Sequence, residues 1–407
     1  MDSEYRRVFN SHFTEALWRD YVDDLSNRLN SRFAFRLAES PVFLPDYLRE
    51  RLARAAHEIL EQLLEPSRVR RMTAAIPARW DTPGMDEAPS FTQIDLAVVR
   101  EDDGTLGPRL IELQGFPSLT AMQVFQRDAW AAALARVTGL DRDWTCWFSG
   151  IGREKSIEIA GRTILGAEDP RTVILMDLDP PSQKTWPDFV ATKKLFAVDA
   201  VCPTRLTRRG RTLFRRLESG EEVPVRRIYN RVVFDELIQK GVQLPFDYRD
   251  DLDVQWAPHP NWYWVWSKHS IPLLDHPAVP RAVYLNDLRT VPEDLARRFV
   301  LKPLFSFAGA GVRIEPTAQD IERIPPEERR GWCLQEKIAY EPALLDPDGN
   351  GVKVEIRLMF FRPDGEKKSV LVQNLCRLSR GLMHGVDFNK SYTWVGSSIA
   401  LWPAAGS

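Results

Sequence analysis

Cysteine is scarce: four residues in 407, none in a CxxC spacing. Cys146, Cys202, Cys333 and Cys376 lie far apart in apolar or strand-like surroundings. That argues against a disulfide framework or a cysteine-bound zinc, and for buried free thiols in a reducing compartment. Excess charge of either sign is also missing. The formal net charge is −2, so the composition calls for neither nucleic acid nor a membrane surface as partner. No stretch approaches the roughly 18 apolar residues of a membrane span. The opening Met1-Asp2-Ser3-Glu4-Tyr5-Arg6-Arg7 has no apolar core of the kind a secretory signal needs. A cytoplasmic location is expected. Internal repeats and low-complexity tracts are absent as well.

What is present is an ordinary globular composition, 44% hydrophobic and 28% charged, over a length that suggests two or three structural units. Phe9, Phe13, Leu17, Tyr21, Leu25 and Leu29 recur every four residues, one face of a helix. A second amphipathic stretch runs from Pro45 to Leu64. The period then changes to two. Phe91 to Val99 reads as a strand, Glu101-Asp102-Asp103-Gly104 as a turn, and Leu110 to Gln114 as the return strand. Glu112 and Gln114 share a face of that strand, and Asp95 can meet them across the hairpin. Carboxylates converging on one face repel unless a cation or proton lies between them, and oxygen ligands suit magnesium. From Thr172 a buried-looking strand (Val173 to Asp177), a helix (Trp186 to Phe196) and further strands read as a Rossmann-like unit without a glycine fingerprint. Arg227 and Arg231 stand near the end of one of these strands. They serve either an acidic substrate or ordinary salt bridges. Trp262, Trp264 and Trp266 read as packed core.

Phe299 to Leu301 is an apolar strand that runs into Lys302-Pro303, then a small-residue loop with Gly309 and Gly311, then a second expected strand, Val312 to Ile314. Glycine lets a backbone approach phosphate oxygens, and a lysine at a strand end adds positive charge. The stretch is not a P-loop, because the lysine precedes the glycines and a strand follows where a helix should. The same missing helix excludes a dinucleotide fingerprint. By itself it is equally a hairpin with a glycine turn and a surface lysine.

Taken together, Ile94-Asp95-Leu96, Leu110-Ile111-Glu112-Leu113-Gln114, Lys268, Lys302-Pro303 with its glycine loop, and Glu355-Ile356-Arg357 resemble the ATP-grasp ligases. Their order, carboxylate strands before lysines, resembles the circularly permuted members, eukaryotic-type glutathione synthetase and glutathionylspermidine synthetase. The resemblance implies an α/β (α+β) fold of permuted ATP-grasp type, with a helical N-terminal segment (1–85) and a metal-site hairpin and helix (86–140). A Rossmann-like substrate domain (165–258) and nucleotide-binding and lid subdomains (259–407) would follow. It implies that Lys268 and Lys302 contact ATP phosphates and that Gly309 and Gly311 belong to the loop closing over them. Gln335, Glu336, Lys337 and Ile338 would form the hinge that reads adenine, with Glu341 near the ribose. Arg357 and Arg380, with Lys302, would stabilise the transferring phosphoryl group, Asn389 would be a late polar partner, and Asp95, Glu112 and Gln114 would hold Mg2+. Two positions depart from the families, Gln93 in place of arginine and Gln114 in place of asparagine.

The implied activity is ATP- and Mg-dependent ligation of a carboxylate to an amine through an acyl phosphate. The substrates would be an amino acid, peptide or polyamine, and the look-alike families are commonly homodimers. A small-molecule kinase and a catalytically weak ATP-binding protein are the alternatives, the latter favoured by the two glutamines.

Overall fold

The computed structural model describes residues 1–305, 311–381 and 391–404. The first helical stripe is two helices, Ser3–His12 and Glu15–Leu29. Thr14 interrupts it: its side chain accepts the Leu17 N–H at 3.1 Å and caps the second helix. Pro45 precedes the helix Asp46–Leu63, whose first-turn Asp46 suits the helix dipole. That helix buries Leu48, Leu52, Ile59 and Leu63 among others, and it packs on the strand Leu106–Gln114. Each such leucine or isoleucine contributes on the order of 1.5–3 kcal/mol. The N-terminal helices therefore share the main core with the central sheet.

That central sheet is antiparallel and six-stranded. Its path runs Gly396–Ser398, Val370–Ser379, Gly351–Phe361, Phe91–Arg100, Leu106–Gln114, and Leu344–Leu345 pairs beside Gly351–Phe361. The expected hairpin is present, and its strands extend to Arg100 and back to Leu106. A second sheet, antiparallel and three-stranded, has the order Ala282–Tyr284, Trp332–Glu336, Phe299–Pro303. The expected strand Val312–Ile314 is reduced to one bridge. Arg313 and Leu301 exchange backbone hydrogen bonds at 2.8 and 2.9 Å, and the full partner of Phe299–Pro303 is instead Trp332–Glu336. Gly311 enters this bridge with a φ of +74°, and a Cβ there would meet Pro303 Cγ at 3.0 Å. Gly309 and Asn389 lie outside the described residues.

The third unit is a parallel sheet in the order Gln255–Ala257, Arg227–Asn230, Val173–Met176, Asp199–Val201. A small antiparallel sheet (Thr207–Arg209, Thr212–Arg216, Glu222–Pro224) is inserted between its second and third strands in sequence. Of the four free cysteines three are buried, but Cys202 is only half-buried. Trp262, Trp264 and Trp266 are buried. No helix among the described residues is long and apolar enough to cross a membrane.

Candidate functional site

The long strands of the central sheet put one polar face together by their period of two. Asp95 stands opposite Glu112 on one side and Arg357 on the other, and Gln93 stands opposite Gln114 and Met359. Glu355 is opposite Arg377. Gln93, Asp95, Glu112, Gln114, Glu355, Arg357 and Arg377 therefore share a face. The hairpin brings Asp95 and Glu112 into register, but the neighbour that dominates Asp95 is 262 residues away.

Asp95 is fully buried, and its two carboxylate oxygens each accept from Arg357, through Nε and Nη2 at 2.6 Å. Arg377 Nη2 adds a third bond at 3.2 Å, while its Nη1 bonds Glu355 at 2.6 Å. Burial would push the Asp95 carboxyl up. Arg357 and Arg377 more than offset that and hold it below the ordinary carboxylate range. Burial pushes Glu355 up to about 7, the Asp95 charge adds to the rise, and the arginines offset it only in part. Arg377 and Glu355 are the residues sequence reasoning passed over as site members. Their signal was the alternation of charge with apolar residues on strands that are otherwise buried. Arg380 pairs with Asp346.

The cations arrive from a second direction. Gly115 closes the hairpin strand, and a Cβ on it would lie 2.3 Å from the Trp262 carbonyl oxygen. Only glycine admits that approach. The short helix Trp262–Val265 can then abut the strand end, where the Gly115 N–H donates to Trp266 O at 3.2 Å. Ser267 caps the 3₁₀ turn that follows, and this turn delivers Lys268, whose Nζ sits 3.3 Å from Glu112 Oε1. Lys302 comes from the three-stranded sheet and donates to Gln335 Oε1 at 3.0 Å. Burial lowers its ammonium to about 8, and Lys268 pushes the same way, while Glu112 and Glu355 offset part of the drop.

Beyond these lysines a cleft of about 860 Å³ runs along the same side of the hairpin. Val99 and Arg109 line it from the hairpin, Ile271 and Val279 from the intervening turn, and Glu336 to Ala339 from the far wall. In that segment Glu336 N–H donates to Arg281 O at 2.8 Å and Lys337 N–H to Arg298 O at 2.7 Å. The Glu336 carboxylate takes Arg298 at 3.1 Å. Glu341 is exposed and does not line the cleft.

The trio expected to hold magnesium separates on inspection. Gln114 Oε1 is buried without a hydrogen-bond partner, and Glu112, beside it on the face, keeps about a quarter of its side chain exposed. Those two fit a hard cation, which takes one or two protein oxygens and completes its shell with water and phosphate. Both Asp95 oxygens accept from Arg357 and one also from Arg377, so a cation at Asp95 would compete with two guanidinium groups. Among the described residues no group of three or more His, Cys, Asp and Glu side chains is arranged to hold a metal.

Of the two arginines on the parallel sheet, Arg227 is structural. It binds Asp364 at 2.7 Å and the Thr163 and Ile164 carbonyls at the end of a helix. Arg231 opens into a cleft.

No family model and no curated protein matches. Among solved structures, the chain is similar to a glutathione synthetase-like effector from Globodera pallida in its apo form. The TM-score is 0.56, with 12% identity over 97% of this chain and 98% of that one. The fold is glutathione synthetase-like. At that identity the likeness is one of architecture, and it leaves the residues of the site to be argued from their own chemistry.

Proposed function

We propose that the chain is an ATP- and Mg-dependent carboxylate–amine ligase of the permuted ATP-grasp type. The observation that carries this reading is the line of features along one face of the hairpin. The 860 Å³ cleft with the Glu336–Ala339 segment lies at one end, and Lys268 and Lys302 lie at the other. A nucleotide has that polarity, with an apolar base to be held by a backbone segment and a polyanionic tail to be met by ammonium groups. The glutathione synthetase-like architecture supports the same reading.

Lys268 and Lys302 would neutralise phosphate charge. Glu112 and Gln114 would hold Mg2+, which supplies charge neutralisation between the phosphates. A substrate carboxylate attacks the γ-phosphorus and ADP leaves. An amine then attacks the acyl carbon and phosphate leaves, with the amine proton lost to solvent. Arg357 and Arg377, held rigid by Asp95, would face the negative charge spread over the transferring group, a preorganised arrangement that needs no reorientation during reaction. Asp95 is thus a positioning residue in this scheme.

A second reading is favoured by a specific observation. Because Asp95 is saturated by arginine, the site offers a metal less negative charge than three oxygen ligands would, which suits an ATP-binding protein without turnover. The deciding experiment is phosphate release from ATP and Mg2+ against pools of amino acids, small peptides and polyamines, with mass spectrometry of products and a Glu112→Ala control. ADP formation that depends on an acid, with an amide product that the control abolishes, is the ligase result. ATP binding without turnover in every pool supports the second reading, and a phosphorylated product without amine consumption identifies a kinase.

A further inference from the structure

Beside the charged row of the central sheet runs a row of amides. Gln373, Met359, Gln93 and Gln114 stand opposite one another across four neighbouring strands, next to the row that carries Arg357, Asp95 and Glu112. Gln93 and Gln114 are buried, to 1% and 4% exposure. The Gln93 Nε2 donates to the Ser118 carbonyl at 2.9 Å, which leaves the amide oxygen as the free end of the side chain. That oxygen and the Gln114 amide oxygen are each buried without a hydrogen-bond partner. Side chains directly opposite in an antiparallel pair start from Cβ atoms about 4.5–5.5 Å apart. One small occupant can therefore reach both acceptors.

The surrounding side chains do not supply that occupant. Gln373 Nε2 is given to the Thr120 carbonyl at 2.6 Å, and the Met359 thioether has no hydrogen to donate. Arg357 and Arg377 are turned to Asp95 and Glu355. Two buried acceptors left empty each keep a desolvation cost. Glu112 shares their face, and a cavity of about 20 Å³ lies against Glu112 and Gln114, room for a single water-sized body. The counter-charge of Glu112 is Lys268, with Nζ 3.3 Å from Oε1. In the ligase reading this lysine serves the phosphates, and the carboxylate then needs another cation.

We propose that Gln93 is a ligand of the divalent cation, in the part that Asp95 gives up to its arginines. Glu112, Gln114 and Gln93 hold the ion, displaced by one cross-strand row from the aspartate. This assignment rests on the ligase reading and changes which residues carry its Mg2+. Three protein oxygens with a single negative charge leave the remaining positions of the ion to water and phosphate, as magnesium prefers. A cationic side chain at position 93 would repel the ion. A neutral amide pinned by Ser118 presents its oxygen instead.

The test uses the full chain and a fluorescent, non-hydrolysable ATP analogue, titrated without metal and with saturating Mn2+. The quantity read is the gain in analogue affinity that the metal brings. Wild type is expected to show a gain of at least about tenfold, and Glu112→Ala to abolish it. Gln93→Leu, which removes the oxygen at similar volume, is expected to cut the gain about tenfold and leave metal-free binding unchanged. Gln93→Glu, which adds a charge to the ligand set, is expected to enlarge the gain. An undiminished gain in Gln93→Leu overturns the proposal, the result a water bridging the two amides would give, and leaves the ligase reading standing. Should the leucine variant not fold, the glutamate variant decides, and a gain no larger than that of wild type overturns the proposal. Absence of any gain in the wild type, with the analogue bound, overturns the magnesium-dependent reading and this assignment with it.

Discussion

Two clusters of buried opposite charge sit in this molecule, and they are built in opposite ways. On the central sheet, Asp95, Arg357, Arg377 and Glu355 are closed upon one another through bonds of 2.6 to 3.2 Å. On the parallel sheet, Asp177 and Arg231 are neighbours that leave polar atoms unused. The first arrangement spends its charge on geometry: it locks two guanidinium groups in place. The second leaves part of its hydrogen-bonding capacity unfilled. A buried ion pair is by itself weak evidence of stability. What separates the clusters is whether the hydrogen-bonding capacity is filled from within.

The largest expected effect breaks the closed cluster. Asp95→Ala leaves two arginines without their shared partner and should cost about 3–5 kcal/mol in denaturant unfolding. If it costs no more than an ordinary surface change, the cluster is not closed as described. The open cluster should respond with the opposite sign. Because the folded pKa of Asp177 is raised from 3.8 to about 7, the protein loses stability through this group as pH rises across that interval. Asp177→Asn should therefore stabilise the protein at pH 7 and above, by at most about 4 kcal/mol, and leave it unchanged near pH 3. Unfolding curves at the two pH values check this directly.

The nucleotide end gives a smaller and more specific prediction. Lys302→Met should weaken ATP binding about tenfold to a hundredfold, the worth of a charged hydrogen bond. Burial lowers the Lys302 ammonium to about 8, so wild-type affinity should fall as pH rises past that value and the variant's should not. Calorimetric titration across pH 7 to 9 reads both effects. The smallest change concerns the backbone. Gly311→Ala forces alanine into a left-handed φ of +74° against Pro303, and about 1–2 kcal/mol of stability should be lost in thermal or chemical unfolding.

Much of the scaffold was legible because it is local. The hairpin announced itself by alternation and by its acidic glycine turn, and its register placed Asp95 against Glu112 as expected. The stripe from Phe9 to Leu29 marked helix, though a pattern of apolar positions is blind to the cap at Thr14 that divides it. The strand expected over Val312–Ile314 shrank to one bridge on one edge of Phe299–Pro303, while Trp332–Glu336, a segment remote in sequence, pairs along the other edge. Arg227 and Arg231 looked alike in sequence. The first is tied to Asp364 and a helix end, the second faces a cleft, and nothing within a few residues of either distinguishes them.

Which residues alternate, which faces are polar, and that lysine and carboxylate strands exist at all can be read from the chain as written. These follow from backbone period and side-chain chemistry, both properties of short segments. Which charge neutralises which depends on the packing of distant strands. That packing set Gly351–Phe361 beside Phe91–Arg100 and so gave Asp95 to arginines rather than leaving it open to a cation. It also reversed the winding of the parallel sheet so that Asp177 and Arg231 meet 54 residues apart. The physical reason is that a buried charge is defined by its partners, and partners are assigned by register and strand order across the whole chain.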